Sequence, residues 1–314
     1  MQYSFIENAI NLQYRSFLFH RDFMKKVMVV LMVLGAVAQA ETLTVAALGT
    51  ILADIAKNVG GADVQLVELL KPGRDPHSYE PTPGDIKKIS NAQLVLVSGL
   101  GIESYLEKLR SSVGPSQFLV AGDSVKTISC ESSEPGHAHG EHEADPHWWH
   151  SISNVELVSR EICTAFSAAN PSAKKEYEAN TRIFIEKLEA LSKWSRLQVA
   201  RLPKSQRILV TSHDALGYFA KDYNFEILPV QGISTTEQPS SQKVQKLIKL
   251  IKERQIKAVF AENIENPKVL EQITRESGAK IGGKLFTDAL DPNDAPTYEG
   301  MMRRNVTTIV EALQ

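Results

Sequence analysis

Thr42-Leu43-Thr44-Val45-Ala46-Ala47-Leu48 is followed directly by an amphipathic stretch, Ile51–Val59, and then by a second apolar run, Val64–Leu70. A strand, a helix and a strand in such close order share one sheet through a right-handed crossover, which makes the strands parallel. The alternation continues with a helix over Pro83–Asn91, a strand over Leu94–Ser98, a helix over Ile102–Leu109 and a strand over Phe118–Val120. Asn154–Phe166 then reads as a helix, punctuated by Asn170-Pro171-Ser172. From Ser172 to about Val199 one helical pattern runs without Pro or Gly, with Tyr177, Phe184, Leu188 and Leu191 on a single apolar stripe. At 1.5 Å per residue that helix is ~42 Å long, more than an ordinary domain helix. After Leu202-Pro203 strands are expected at Arg207–Thr211, Glu226–Val230, Ala258–Ala261 and Lys280–Phe286. Helices are expected at Ala215–Lys221, Ser241–Glu253, Pro267–Ser277 and Pro296–Ala312. The fold implied is α/β: two Rossmann-like parallel-sheet lobes joined by one long backbone helix, with a cleft between them.

The 314 residues are 43% apolar, 23% charged and 7% aromatic, which excludes disordered, collagen-like and multi-span membrane chains. Lys+Arg 35 against Asp+Glu 37 leaves −2, so there is no basic field for a nucleic acid. Two cysteines neither build a disulfide scaffold nor fill a four-cysteine zinc site. Met24-Lys25-Lys26, the apolar run Val27–Ala38 and Ala38-Gln39-Ala40 read as the three parts of a cleaved secretory signal. A membrane anchor is the alternative, but this run makes only ~18 Å of helix against a hydrocarbon core of ~30 Å. No cysteine stands at the cleavage point to carry a lipid. An exported soluble protein of a Gram-negative periplasm is expected, not membrane-spanning once the signal is removed. The expected organisation is an extension and signal at 1–40 (signal 24–40), a first lobe at 41–170 with a His-rich loop at 129–144, a linking helix at 171–202 and a second lobe at 203–314.

Asp-Pro-His occurs twice, at Asp75-Pro76-His77 and Asp145-Pro146-His147. Proline fixes the local backbone and the aspartate can take a nearby backbone amide, so each turn holds an imidazole in one orientation. In the second lobe His213 ends the strand Ile208-Leu209-Val210-Thr211, and Asp288 ends Lys284-Leu285-Phe286-Thr287. These four lie 70, 66 and 75 residues apart, one per α/β unit and two per lobe. Open α/β sheets bind ligands outside the carboxyl ends of their strands, so two facing lobes bring all four to one point. Three imidazoles and a carboxylate complete a tetrahedral shell for Zn²⁺. Taken singly, each histidine reads more readily as a surface or capping residue; the repeated tripeptide and shared placement favour the set.

His137, His139 and His142 lie in a polar stretch from Ser129 to Ala144, a loop that either captures metal weakly or is merely solvated. His142 to His147 imitates H-E-x-x-H but spaces the histidines five apart, and Pro146 breaks the helix the motif needs. Gly99-Leu100-Gly101 has Ser104 where a dinucleotide site has its third glycine, and reads as a strand-to-helix turn. Trp148-Trp149 reads as packing around the site or between lobes. Cys130 and Cys163 either pair, closing a loop worth about 3–4 kcal/mol, or leave Cys163 buried alone. No catalytic residue and no organic cofactor site emerges.

The sequence resembles the zinc/manganese solute-binding proteins of metal ABC transporters (cluster A-I) over nearly all of 41–314. The likeness is carried by Pro72-Gly73-x-Asp75-Pro76-His77-Ser78-Tyr79-Glu80-Pro81-Thr82-Pro83, by Ala92-x-Leu94-Val95-Leu96-Val97-Ser98-Gly99-Leu100-Gly101, and by Asp145-Pro146-His147-Trp148-Trp149. Ser212-His213-Asp214-Ala215-x-Gly217-Tyr218-Phe219 and Thr287-Asp288-Ala289-Leu290 continue it in order. The resemblance implies two lobes on a rigid helix, His77, His147, His213 and Asp288 as metal ligands, and delivery to an inner-membrane permease and its ATPase by a monomer. It implies no enzyme activity. Manganese-type members usually carry Glu where this chain has His213, and zinc-type members often carry a His-rich loop, so Zn²⁺ is expected, with Mn²⁺ as the alternative. A zinc hydrolase would need an open coordination position and a general base; a metal-binding adhesin is the remaining rival.

Overall fold

The computed structural model describes residues 42–113, 117–129, 144–236, 238–263 and 268–314. The expected leader, Cys130 and His137, His139 and His142 lie outside these residues. The first lobe is a sheet of β1 (Leu43–Ala47), β2 (Val64–Glu68), β3 (Leu94–Val97) and β4 (Gln117–Val120). The second contains β5 (Ile208–Thr211), β6 (Glu226–Pro229), β7 (Ala258–Glu262) and β8 (Lys280–Leu285). Both sheets are wholly parallel and have the same topology, β2-β1-β3-β4 and β6-β5-β7-β8. Every residue of β3 and β5 is buried, as expected of parallel strands covered on both faces.

The helices are α1 (Thr50–Gly60), α2 (Pro83–Ser90), α3 (Leu106–Val113), α4 (Ile152–Ala169), α5 (Lys174–Val199), α6 (Gly217–Tyr223), α7 (Ser241–Glu253), α8 (Lys268–Ser277) and α9 (Tyr298–Leu313). Their starts are local chemistry. Thr82 and Asp85 form a reciprocal capping box with Pro83 at the first position of α2, and Ser240 and Thr297 cap α7 and α9.

The long α5 buries Tyr177, Phe184, Leu188, Leu191 and Val199. It rests on α1 and α4 from one side of the molecule and α9 from the other. The largest apolar core is therefore continuous through both lobes, from Leu43 and Val45 to Phe260 and Met301. Each sheet's outer face has a smaller core of its own, around Val95 and Val97 in the first and Val210 and Val259 in the second.

One element departs from expectation. The helix expected from Ile102 begins at Leu106. Gly99, Leu100 and Gly101 all have left-handed φ values, 80°, 56° and 88°. The carboxylate of Glu103 turns back to accept Ser98 N–H at 2.8 Å and Gly99 N–H at 2.9 Å. That turn occupies the residues a first helical turn would need.

Candidate metal centre

His77 lies after β2, His147 after β4, His213 just beyond β5 and Asp288 just beyond β8. All four follow the carboxyl ends of strands, and their ligating atoms lie within 4.8 Å of one another. His77 Nε2 is 3.2 Å from His147 Nε2 and 3.7 Å from Asp288 Oδ2. His147 Nε2 is 3.5 Å from Asp288 Oδ1, and His213 Nε2 is 3.2 Å from Asp288 Oδ2. His147, His213 and Asp288 are buried; His77, with 6% of its side chain exposed, sits nearest solvent.

The two Asp-Pro-His turns are built alike. His77 N–H donates to Asp75 Oδ1 at 2.8 Å, and His147 N–H donates to Asp145 Oδ1 at 2.9 Å. Asp145 Oδ1 also takes His147 Nδ1 at 2.8 Å, and Glu262 takes His213 Nδ1. With Nδ1 tied outward, the His147 and His213 rings present Nε2 to the centre. Among the described residues, His213 Nε2 and both oxygens of Asp288 are buried without a hydrogen-bond partner. Acceptors facing acceptors in a dry site repel unless a proton or a metal cation lies between them. The donor set fits either Zn²⁺ or Mn²⁺.

Electrostatics follow from the same neighbours. Burial, reinforced by the other imidazoles, draws His77 down to about 4, against the pull of Asp288. Burial also lowers His213, but Glu262 and Asp288 outweigh it and hold the ring well above its usual value. Burial raises Asp288, and His213, His147 and His77 more than reverse it, leaving the carboxyl well below the usual range.

Trp148 and Trp149 are packing residues. Trp148 Nε1 donates to Ser98 O at 3.2 Å, and Trp149 Nε1 crosses to Thr287 O at 2.7 Å. Cys163 is a free, buried thiol on α4 that packs into the main core; Cys130, its expected partner, lies outside the described residues. The ends of the His-rich segment are tied by an antiparallel bridge between Ser129 and Ala144. Two residues at the site, Glu262 and Thr235, carried no readable signal in the sequence, and the role of a third, Thr287, was not visible in its motif. Glu262 ends an apolar strand, Thr287 precedes a ligand, and Thr235 Oγ1 donates to Asp75 Oδ2 at 2.7 Å from the opposite lobe. Their partners are too distant along the chain for spacing to show.

Residues 45–312 match the family model for ZnuA, the periplasmic component A of a zinc-uptake complex. The chain belongs to this family. Among ZnuA relatives, the manganese-binding lipoprotein MntA of Bacillus subtilis is 36% identical over 282 residues, covering 87% of this chain and 90% of MntA. The zinc-binding protein TroA of Treponema pallidum is 34% identical over 289 residues, covering 88% and 91%. The iron-binding protein YfeA of Yersinia pestis is 36% identical over 267 residues, covering 83% of each chain. The structure of periplasmic TroA superposes with a TM-score of 0.79 at 31% identity, over 87% of this chain and 99% of TroA. The two-lobe α/β fold is thus the family's. ZnuA proteins are substrate-binding components of metal ABC transporters rather than enzymes, which implies a permease and an ATPase as partners. No helix among the described residues is long and apolar enough to cross a membrane.

Proposed function

We propose that the protein captures Zn²⁺ between its lobes with His77, His147, His213 and Asp288 and delivers it to an inner-membrane ABC permease. The observation that carries this is the spacing of the donors. A tetrahedron with bonds of ~2.0–2.2 Å has edges of ~3.3–3.6 Å, and four of the donor separations, measured to one or the other Asp288 oxygen, are 3.2, 3.2, 3.5 and 3.7 Å. Three nitrogen donors support zinc over manganese, which prefers oxygen and stands at the weak end of the divalent series. The relatives bear manganese, zinc and iron in their names, so Mn²⁺ is the second reading. Four protein donors leave no open position for hydrolysis.

The signal read at 24–40 supports export to the periplasm; in this reading the protein is also a soluble monomer, with His137, His139 and His142 as auxiliary capture groups. The test is metal analysis of protein purified from the periplasm without added metal, followed by zinc titration. One tightly bound zinc per chain is expected, and His77→Ala should weaken it by orders of magnitude. A variant that titrates like the parent would remove His77 from the site.

A further inference from the structure

We propose that Glu262 is the positioning residue for both metal ligands of the second lobe, an inference that rests on reading the four-donor cluster as a zinc site. Glu262 closes β7, which pairs with β5 on one side and β8 on the other. It therefore stands between the strand that leads to His213 and the strand that leads to Asp288. Its side chain is buried, and its ion-pair partner among the described residues is the His213 ring rather than a lysine or arginine.

Three contacts define its role. One carboxylate oxygen accepts His213 N–H at 3.1 Å, while the other takes the ring Nδ1. That second oxygen also accepts Thr287 Oγ1 at 3.1 Å. The first two contacts fix the backbone, ring plane and tautomer of His213, so that Nε2 is the atom presented to the metal. The third holds the residue immediately before Asp288. Thr287 is tied to the first lobe as well, through its carbonyl to Trp149 Nε1 at 2.7 Å and His150 Nε2 at 3.0 Å. Asp145 performs the equivalent service for His147 alone; Glu262 reaches toward two ligands. Its charge also faces His213 from the side opposite Asp288, which makes the imidazole a stronger donor to a cation.

The experiment uses the full exported chain, stripped of metal, and competition with a chromophoric chelator for Zn²⁺ at one pH. The parent is titrated first; failure to bind one zinc would refute the site itself, separately from this inference. With the parent binding, Glu262→Ala is expected to lose about 10–100-fold in zinc affinity while keeping one zinc per chain. Glu262→Gln, whose amide oxygen can still accept Nδ1–H, should lose less. Glu262→Asp keeps the charge but shortens the arm, and about tenfold weaker binding is expected from it, which decides the matter should the alanine variant not fold. A readout that general loosening would not move is the ¹⁵N spectrum of the His213 ring in zinc-loaded protein, where Nε2 is occupied by the metal and Nδ1 carries the proton. The parent should show a slowly exchanging Nδ1–H held by Glu262, and Glu262→Ala should make that proton exchange fast. Zinc affinities of the Ala and Asp variants within threefold of the parent, with unchanged Nδ1–H exchange, would overturn the proposal.

Discussion

On the zinc reading proposed above, metal preference is expected to turn on the imidazole of His213. His213→Glu leaves two nitrogen donors and two carboxylates, a harder set able to expand its coordination with bidentate oxygen. It also brings a carboxylate against Glu262, which then has no Nδ1–H to accept. Both metals should bind more weakly, and zinc should remain the tighter of the two, but the zinc-to-manganese ratio should fall. Paired competition titrations at one pH read that ratio, since imidazole ligation is proton-coupled; a ratio unchanged or larger would show that this position does not set the choice. A second residue-scale prediction concerns Glu103. Burial pushes its carboxyl up to about 7, although Ser98 and Gly99 N–H groups favour the charged form. The folded value lies above the unfolded one, so its contribution to stability is complete below about pH 4.5 and is lost as pH rises through 7. The difference across that window is about 3 kcal/mol. Urea midpoints of metal-free Glu103→Gln should therefore fall less steeply between pH 4.5 and 7.5 than those of the parent. Parallel pH profiles for the two proteins would count against a buried, protonated Glu103.

At the scale of elements, α5 is the piece whose sequence spoke most plainly. An uninterrupted 3.6-residue stripe over 26 residues makes ~39 Å of helix, and its apolar face meets helices of both lobes. Leu191 is wholly buried on that face, so Leu191→Ala should destabilise the protein by about 2–5 kcal/mol. The loss should register as one cooperative shift in chemical denaturation, because the core it opens is shared by both lobes. Two separated transitions would instead mean that the lobes unfold independently. The start of α3 was not legible in the same way. Apolar periodicity from Ile102 promised a helix there, whereas a buried carboxylate hydrogen-bonded to the preceding turn delays it to Leu106. A side chain that competes for backbone N–H groups defeats periodicity, which records only which face is apolar.

Across the whole molecule the lobes are fastened unevenly. Leu290 N–H donates to Thr50 Oγ1 at 2.8 Å, Tyr298 N–H to Asp54 Oδ2 at 2.8 Å and Tyr298 O–H to Trp149 O at 2.8 Å. Beside His77, among the described residues, a hydrogen bond from Thr235 to Asp75 crosses between the lobes. Removing one such bond costs about 0.5–1.5 kcal/mol, so Thr235→Val should speed zinc release by about two- to tenfold. Stopped-flow transfer to a chelator measures this, and an unaltered release rate would show that the contact does not retain the metal. Strand and helix order, the parallel sheets and the two Asp-Pro-His turns were determined by the sequence itself, because apolar period and turn chemistry act over a few neighbouring residues. The convergence of His77, His147, His213 and Asp288 was only half contained there: strand-end placement pointed each residue at a cleft without bringing the lobes together. What tertiary structure alone decided is the company those residues keep. Glu262 stands 49 residues from His213, and Thr235 stands 160 from Asp75. The first pair is made when β7 is laid beside β5 in the second sheet, the second when a shared core docks one lobe on the other, and no local preference of either residue encodes the match.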